Sequence, residues 1–179
     1  MDMTEVSGPG RVVVGVSGAE GDLAGLAALR AGAREARLRG VPLVAVHAWE
    51  PPEGEGLYLR HPDRAWARHW YGVARERLER AFEEAFGGLP EGVAVERRVV
   101  RDRPGRALLG VARGEGDLLV LGAGGRARRG RVRRYVDARA RCAVLVVRGP
   151  APPRGVRRAL RGVTVADFAS LPDGPRSRR

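Results

Sequence analysis

The residues best suited to binding chemistry form a glycine- and arginine-rich segment between positions 122 and 131. Gly122-Ala123-Gly124-Gly125 is followed by Arg126, Arg128 and Arg129, and then by Gly130-Arg131. Glycines let backbone N–H groups approach an anion closely, and the guanidinium fork of arginine matches the geometry of a phosphate. The segment indicates an anion site, and a solvated basic loop in an arginine-rich protein is the open alternative.

A second candidate site is the turn of small residues that follows the first apolar run of the chain. Gly15-Val16-Ser17-Gly18-Ala19 differs by one residue from G-x-S-x-G, the turn that exposes the nucleophilic serine of many hydrolases. Such an enzyme also needs a histidine and an acid late in the chain, and the last histidine is His69. We therefore interpret this turn as part of a binding site.

Other chemistries are excluded by the composition. The chain has no lysine, so neither a Walker A loop nor a Schiff-base nucleophile can form. His47, His61 and His69 have no cysteine or carboxylate pattern typical of a metal site. Cys142, the single cysteine, is predicted to be a small buried residue at a strand start. We expect no enzyme activity, no catalytic residue and no metal.

Short β-branched runs alternate with helical patterns and would position both candidate segments. Strands are predicted at Arg11–Val16, Leu43–His47, Val93–Val100, Leu118–Leu121 and Ala143–Val147. Helices are predicted at Leu23–Arg39, Pro62–Phe86, Pro104–Ala112 and Val132–Arg141, with a loop from Trp49 to His61. Asp22 is a suitable N-cap for the first helix, and Gly40 is a plausible residue to end it.

This alternation predicts an α/β fold with an open five-stranded parallel sheet and helices on both faces. In such sheets ligands bind outside the carboxyl ends of the strands, where the strand order switches. With the flavodoxin-like order 3-2-1-4-5, that crevice lies between the loops after strands 1 and 4. His47 is expected at a strand end near the crevice, in a structural role.

Four segments in this order resemble the universal stress protein family. They are Val13–Gly18, Leu43–His47, Asp117–Gly122 and Cys142–Arg148, and the resemblance covers 11–148. It implies the adenine nucleotide alpha-hydrolase-like version of the fold and a regulatory binding function. It also implies a nucleotide or anion site made of residues that follow strands 1, 2 and 4: Val16, Ser17, Gly18, Val46, Gly122, Gly124, Gly125, Gly130, Arg131 and Val132.

The phosphate loop departs from the family pattern of Gly, two residues, Gly, nine residues, and Gly with Ser or Thr. Only four residues separate Gly125 from Gly130, and Arg131 stands in the place of the hydroxyl residue. Ser17 stands where the family usually has Asp. These departures predict weak or absent binding of ATP. If a ligand binds, we expect a smaller anion or nucleotide, with AMP as a candidate, beside Gly122, Gly125, Gly130 and Arg131 at the start of the last helix.

The positive charge lies in the C-terminal part of the chain. The formal net charge is +12, and residues 101–179 contain 20 arginines but only 6 acidic residues. This distribution supports a second function class, binding of nucleic acid or another polyanion. The near absence of aromatic residues among these arginines argues against base stacking.

The chain is predicted to have a flexible N-terminus (1–10), one domain (11–148) and a basic Pro/Arg-rich tail (149–179), partly disordered. No apolar run is long enough to span a membrane, and no secretory signal is recognisable, so a cytoplasmic protein is expected. The apolar strand Ala143–Val147 would lie at a sheet edge. We expect it to pair with its mate in a homodimer, or to be covered by the tail.

Overall fold

The structure is a computed structural model that describes residues 10–19, 21–60, 63–123 and 127–150. The tail beyond residue 150 and residues 1–9 lie outside the described residues, as do Gly124, Gly125 and Arg126. The predictions made for those positions therefore remain predictions.

Five strands and five helices follow one another along the described chain. The strands are β1 (Val12–Gly15), β2 (Leu43–Trp49), β3 (Val95–Arg101), β4 (Leu118–Ala123) and β5 (Ala143–Arg148). The helices are α1 (Leu23–Arg39), α2 (Glu55–Arg60), α3 (Arg64–Phe86), α4 (Pro104–Val111) and α5 (Ala127–Asp137). All neighbouring strands are parallel, in the order β3-β2-β1-β4-β5, which confirms the predicted fold.

Alternate residues of the central strands build two hydrophobic cores, one on each face of the sheet. Val12 and Val14 point to the face that is covered by α1 and α3, where Leu29 and Phe82 are buried. Val13 points to the opposite face, where Leu108 of α4 and Val136 of α5 are buried. The period of two along each strand thus fixes which helices line each side.

The predicted ends of α1 are confirmed by the backbone. The Asp22 side chain accepts a hydrogen bond from the Gly25 amide, and Gly40 ends the helix with φ of 64°. A left-handed backbone of this kind strongly favours glycine.

The predicted boundaries of the second helix and of the last helix are wrong. The predicted loop from Trp49 to His61 contains α2, and α3 begins at Arg64 because the Asp63 side chain caps the amides of Ala65 and Trp66. The last helix begins at Ala127 rather than Val132, and it ends at Asp137 rather than Arg141. Arginine is a good helix former, so the basic run extends the helix towards its N-terminus despite Gly130.

No helix in the described parts of the chain is both long and apolar enough to cross a membrane. Cys142 is half-buried just before β5, and burial followed by the nearby Asp117 raises the pKa of its thiol. A thiol in this environment stays protonated at neutral pH, which agrees with a packing role.

Candidate functional site

A cavity of about 470 Å³ opens at the carboxyl ends of β1, β2 and β4. Its volume is in the range of small-molecule sites. The walls are mainly apolar, and residues from the strands and from three helices contribute to them: Val16, Val46, Ala48, Val73, Ala74, Leu108, Leu121 and Val132. Parallel α/β sheets bind ligands at this position, because the helices that follow β1 and β4 lie on opposite faces of the sheet.

The turn after β1 places a buried carboxylate in the cavity wall. The Ser17 hydroxyl donates to Oδ2 of Asp22, and Oδ1 of Asp22 accepts from the Gly25 amide at 2.8 Å. Asp22 is 7% exposed and also lines the cavity. The N-terminus of α1 is therefore already capped by a negative group, which disfavours a phosphate at that helix end.

Gly18 brings the β1 turn against β2 and α3. Its φ is 61°, and a Cβ at this position would lie 2.7 Å from Cβ of Arg77 and 3.1 Å from Cε1 of His47. Both the backbone conformation and the close packing require glycine. The turn thus joins His47 and Arg77 at one rim of the cavity.

His47 is a buried polar residue of the cavity wall, with an exposed fraction of 3%. Its Nδ1 lies 2.9 Å from the carbonyl oxygen of Val16, so Nδ1 carries the proton and Nε2 the lone pair. Burial lowers the pKa of His47, the bond to Val16 partly opposes this, and the charge of Arg77 lowers the pKa further. The imidazole is therefore neutral at physiological pH and can serve as an acceptor.

We expect the lowered pKa of His47 to make the protein less stable in mild acid. As the pH falls below about 6.5, the unfolded chain binds a proton at this position before the folded chain does. The free energy of unfolding should therefore decrease as the pH falls, and His47→Gln should flatten this dependence between about pH 7 and 5. Urea unfolding at a series of pH values measures it. The exposed His69→Gln is the control, and an unchanged slope in His47→Gln would contradict the assignment.

Two tryptophans contribute to the cavity wall. Trp49 ends β2, and Trp70 lies on α3, where its ring is 4.9 Å from that of Trp66. The indole N–H groups of Trp49 and Trp70 are buried and have no acceptor among the described residues. Buried donors are normally paired, but these two nitrogens have almost no exposed surface, so they are not open to a ligand in the cavity. Glu50, also in the wall, lies 3.5 Å from Arg103.

The sequence profile of the universal stress protein family matches residues 9–148. The chain belongs to this family. A solved universal stress protein from Archaeoglobus fulgidus is 25% identical, with a TM-score of 0.53, and the match covers 77% of this chain and 98% of that one. No curated protein matches the chain.

Two further universal stress protein structures share the fold and contain nucleotides. The Archaeoglobus fulgidus protein in complex with dAMP is 24% identical, with a TM-score of 0.52 and coverage of 77% of this chain and 97% of that one. A universal stress protein in complex with cAMP is 23% identical, with a TM-score of 0.57 and coverage of 79% and 98%. At these identities the comparison establishes the fold.

The structure brings together half of the residues that the family resemblance implied for the site. Val16, Ser17, Val46, Gly122 and Val132 line the cavity, and Gly18 borders a small recess beside it. Gly122 also has a packing role, since a Cβ there would lie 2.5 Å from the carbonyl oxygen of Ala24. Gly124 and Gly125 lie outside the described residues.

Gly130 and Arg131 do not contribute to the cavity wall. Both are exposed on α5 and are absent from the residues that surround the cavity. The expectation that a helix begins near Arg131 is wrong, because α5 begins at Ala127. Only the first four amides of a helix are free for an anion, so the amide of Arg131 lies beyond them.

The sequence analysis did not assign Asp22, Trp49, Trp70 or Arg77 to the site. Part of this set could have been recognised from a helical pattern. Four residues are spaced as one face of α3: Trp70, Val73, Ala74 and Arg77. That face was interpreted as core. In the described part of the chain, no group of three or more His, Cys, Asp or Glu side chains is placed to hold a metal ion.

Proposed function

We propose that the chain is a regulatory binding domain of the cytoplasm that takes a nucleoside or a nucleoside monophosphate. The observation that carries this proposal is the apolar cavity of about 470 Å³ at the carboxyl edge of the sheet. A few polar groups in an otherwise apolar wall are typical of a site that orients a small, flat ligand. The dAMP and cAMP complexes of two family members support this ligand class.

Binding without catalysis fits the polar groups of the cavity. The Ser17 hydroxyl donates to Asp22, so this hydroxyl of the β1 turn is paired with a carboxylate rather than with a histidine base. His47 uses Nδ1 for the Val16 carbonyl. A nucleophile needs a base within hydrogen-bond reach, and we propose no enzymatic step for this arrangement.

ATP should bind more weakly than AMP. The buried carboxylate of Asp22 and the carboxylate of Glu50 both face the cavity and repel a polyphosphate. The loop between Gly125 and Gly130 is five residues shorter than the family pattern and has no hydroxyl residue at Arg131. Each missing hydrogen bond is worth about 0.5–3 kcal/mol, so the loss of two weakens ATP binding by at least about fivefold.

Calorimetry with adenosine, AMP and ATP tests this proposal, together with mass spectrometry of small molecules released from the purified protein. We expect AMP to bind more tightly than ATP and any released molecule to be of nucleoside size. Low-micromolar binding of ATP would contradict the order of affinities. If neither adenosine nor AMP binds, and no small molecule is released, the ligand class is wrong.

We also propose that the protein is a homodimer that pairs through β5. Among the described residues this strand bonds only to β4, and its four central residues are half-buried valines and a leucine. An apolar edge strand favours pairing with a second copy. Light scattering should give twice the chain mass of 19.3 kDa. A monomer mass at micromolar concentration would favour the tail as the cover of this edge.

Binding of nucleic acid through the basic C-terminal half is not the function that the cavity supports. Seven of the 20 arginines lie beyond residue 150, outside the described residues, and Arg133 on α5 pairs with Asp137. Salt-dependent retention on DNA measures this activity directly. Strong retention at physiological salt would favour polyanion binding over the small-molecule function.

A further inference from the structure

Arg77 is an unpaired cation at the rim of the cavity. It contributes to the cavity wall from α3, on the side opposite α4 and α5. Arg75, on the same helix, pairs with Glu79 at 2.9 Å. Arg77 has no hydrogen bond or ion pair with any residue that the structure describes. A guanidinium without a partner is available for an anionic group of a ligand.

The base of the Arg77 side chain packs against the β1 turn. Its Cβ lies against Gly18, which in turn contacts the ring of His47, so the base of the side chain is held at the β1 turn. Its charge also reaches the cavity wall, because it contributes to the lowered pKa of His47. The guanidinium itself is exposed and becomes ordered only when it binds an anion.

The cavity face of α3 has an aromatic end and a cationic end. Trp70 and Arg77 are seven residues apart, which places them two helical turns, or about 10.5 Å, from each other on one face. Val73 and Ala74 lie between them and give the face an apolar centre.

We propose that the ligand lies along α3, with its anionic group bound by Arg77 and its aromatic end beside Trp70. The anion site is then supplied by α3 and the β1 turn rather than by the loop between β4 and α5. This inference rests on the proposed function for the nucleoside part of the ligand. The cavity wall also contains the carboxylates of Asp22 and Glu50, so a single guanidinium suits one phosphate better than a chain of three.

A comparison of AMP with adenosine isolates the contribution of Arg77, because the two ligands differ only in the phosphate. Wild type, Arg77→Gln and Arg75→Gln should be titrated with both ligands by calorimetry. We expect Arg77→Gln to weaken AMP binding by about 10- to 100-fold and to leave adenosine binding nearly unchanged. Arg75→Gln should leave both affinities unchanged, since its exposed ion pair lies outside the cavity.

Inorganic phosphate provides a second measurement that does not depend on the nucleoside. The imidazole resonances of His47 should shift when phosphate is added to wild type and to Arg75→Gln, and the shift should be lost in Arg77→Gln. Unchanged thermal melting of Arg77→Gln would show that the variant is folded. This arm separates the two proposals, because it succeeds or fails independently of adenosine binding.

The possible results have distinct meanings. Equal AMP affinities of Arg77→Gln and wild type would overturn the assignment of Arg77, as would equal losses in Arg77→Gln and Arg75→Gln, which indicate diffuse electrostatics. If adenosine and AMP fail to bind wild type, the proposed function is wrong and the phosphate arm alone decides. A phosphate shift that depends on Arg77 then supports the anion site, and its absence from wild type refutes it.

Discussion

Val73→Trp should abolish measurable binding of the small-molecule ligand. Val73 lies at the centre of the cavity face of α3 and is half-buried, so a larger side chain there extends into the cavity of about 470 Å³. The indole would occupy the space between Trp70 and Arg77. Since the wall opposite is sheet and cannot move aside, we expect the affinity for AMP to fall about a hundredfold or more.

Tyr71→Trp is the matched control for this substitution. Tyr71 is on the same helix but is 49% exposed and does not line the cavity, so the new ring remains in solvent. Calorimetry with AMP should give the wild-type affinity for this variant, and thermal melting should show that both variants are folded. Wild-type affinity in Val73→Trp would mean that the ligand binds elsewhere.

Leu78→Ala should cause a large loss of stability. Leu78 is 1% exposed and belongs to the core between α3 and the sheet. Removal of a buried leucine side chain eliminates its transfer free energy and leaves a cavity that closes only partly. The expected decrease in the free energy of unfolding is about 2–5 kcal/mol.

Leu38→Ala provides the comparison, because it makes the same chemical change at a helical position that is 71% exposed. Its effect should be within about 0.5 kcal/mol. Urea unfolding followed by circular dichroism measures both variants. Similar unfolding free energies for the two would show that α3 does not pack on the sheet as described.

The strands and the first helix could be predicted because their signals are local. The run Val12-Val13-Val14 is β-branched and lies between turn residues, Asp22 can cap only a helix that follows it, and Gly40 suits a left-handed backbone. Each of these effects acts within a few residues of the chain. The parallel arrangement then follows from the alternation of strands with helices.

The start of α5 could not be predicted in the same way. The segment from Ala127 to Arg131 contains both a glycine and a dense group of arginines, which favour a loop and a helix respectively. The structure resolves this competition as a helix. The residues that the family pattern assigns to a phosphate loop, Gly130 and Arg131, therefore lie on its exposed surface.

The sequence by itself determined that glycine-rich turns follow two neighbouring strands of a parallel sheet, because strand periodicity and turn chemistry are properties of short segments. Only the tertiary structure decided which side chains surround the cavity between them. Gly18, His47 and Arg77 come from three segments that are far apart along the chain, and they meet because α3 packs across β2 and β3, beside α1. Contacts of this kind depend on helix crossing and on the exact rotation of α3, which local periodicity leaves undetermined.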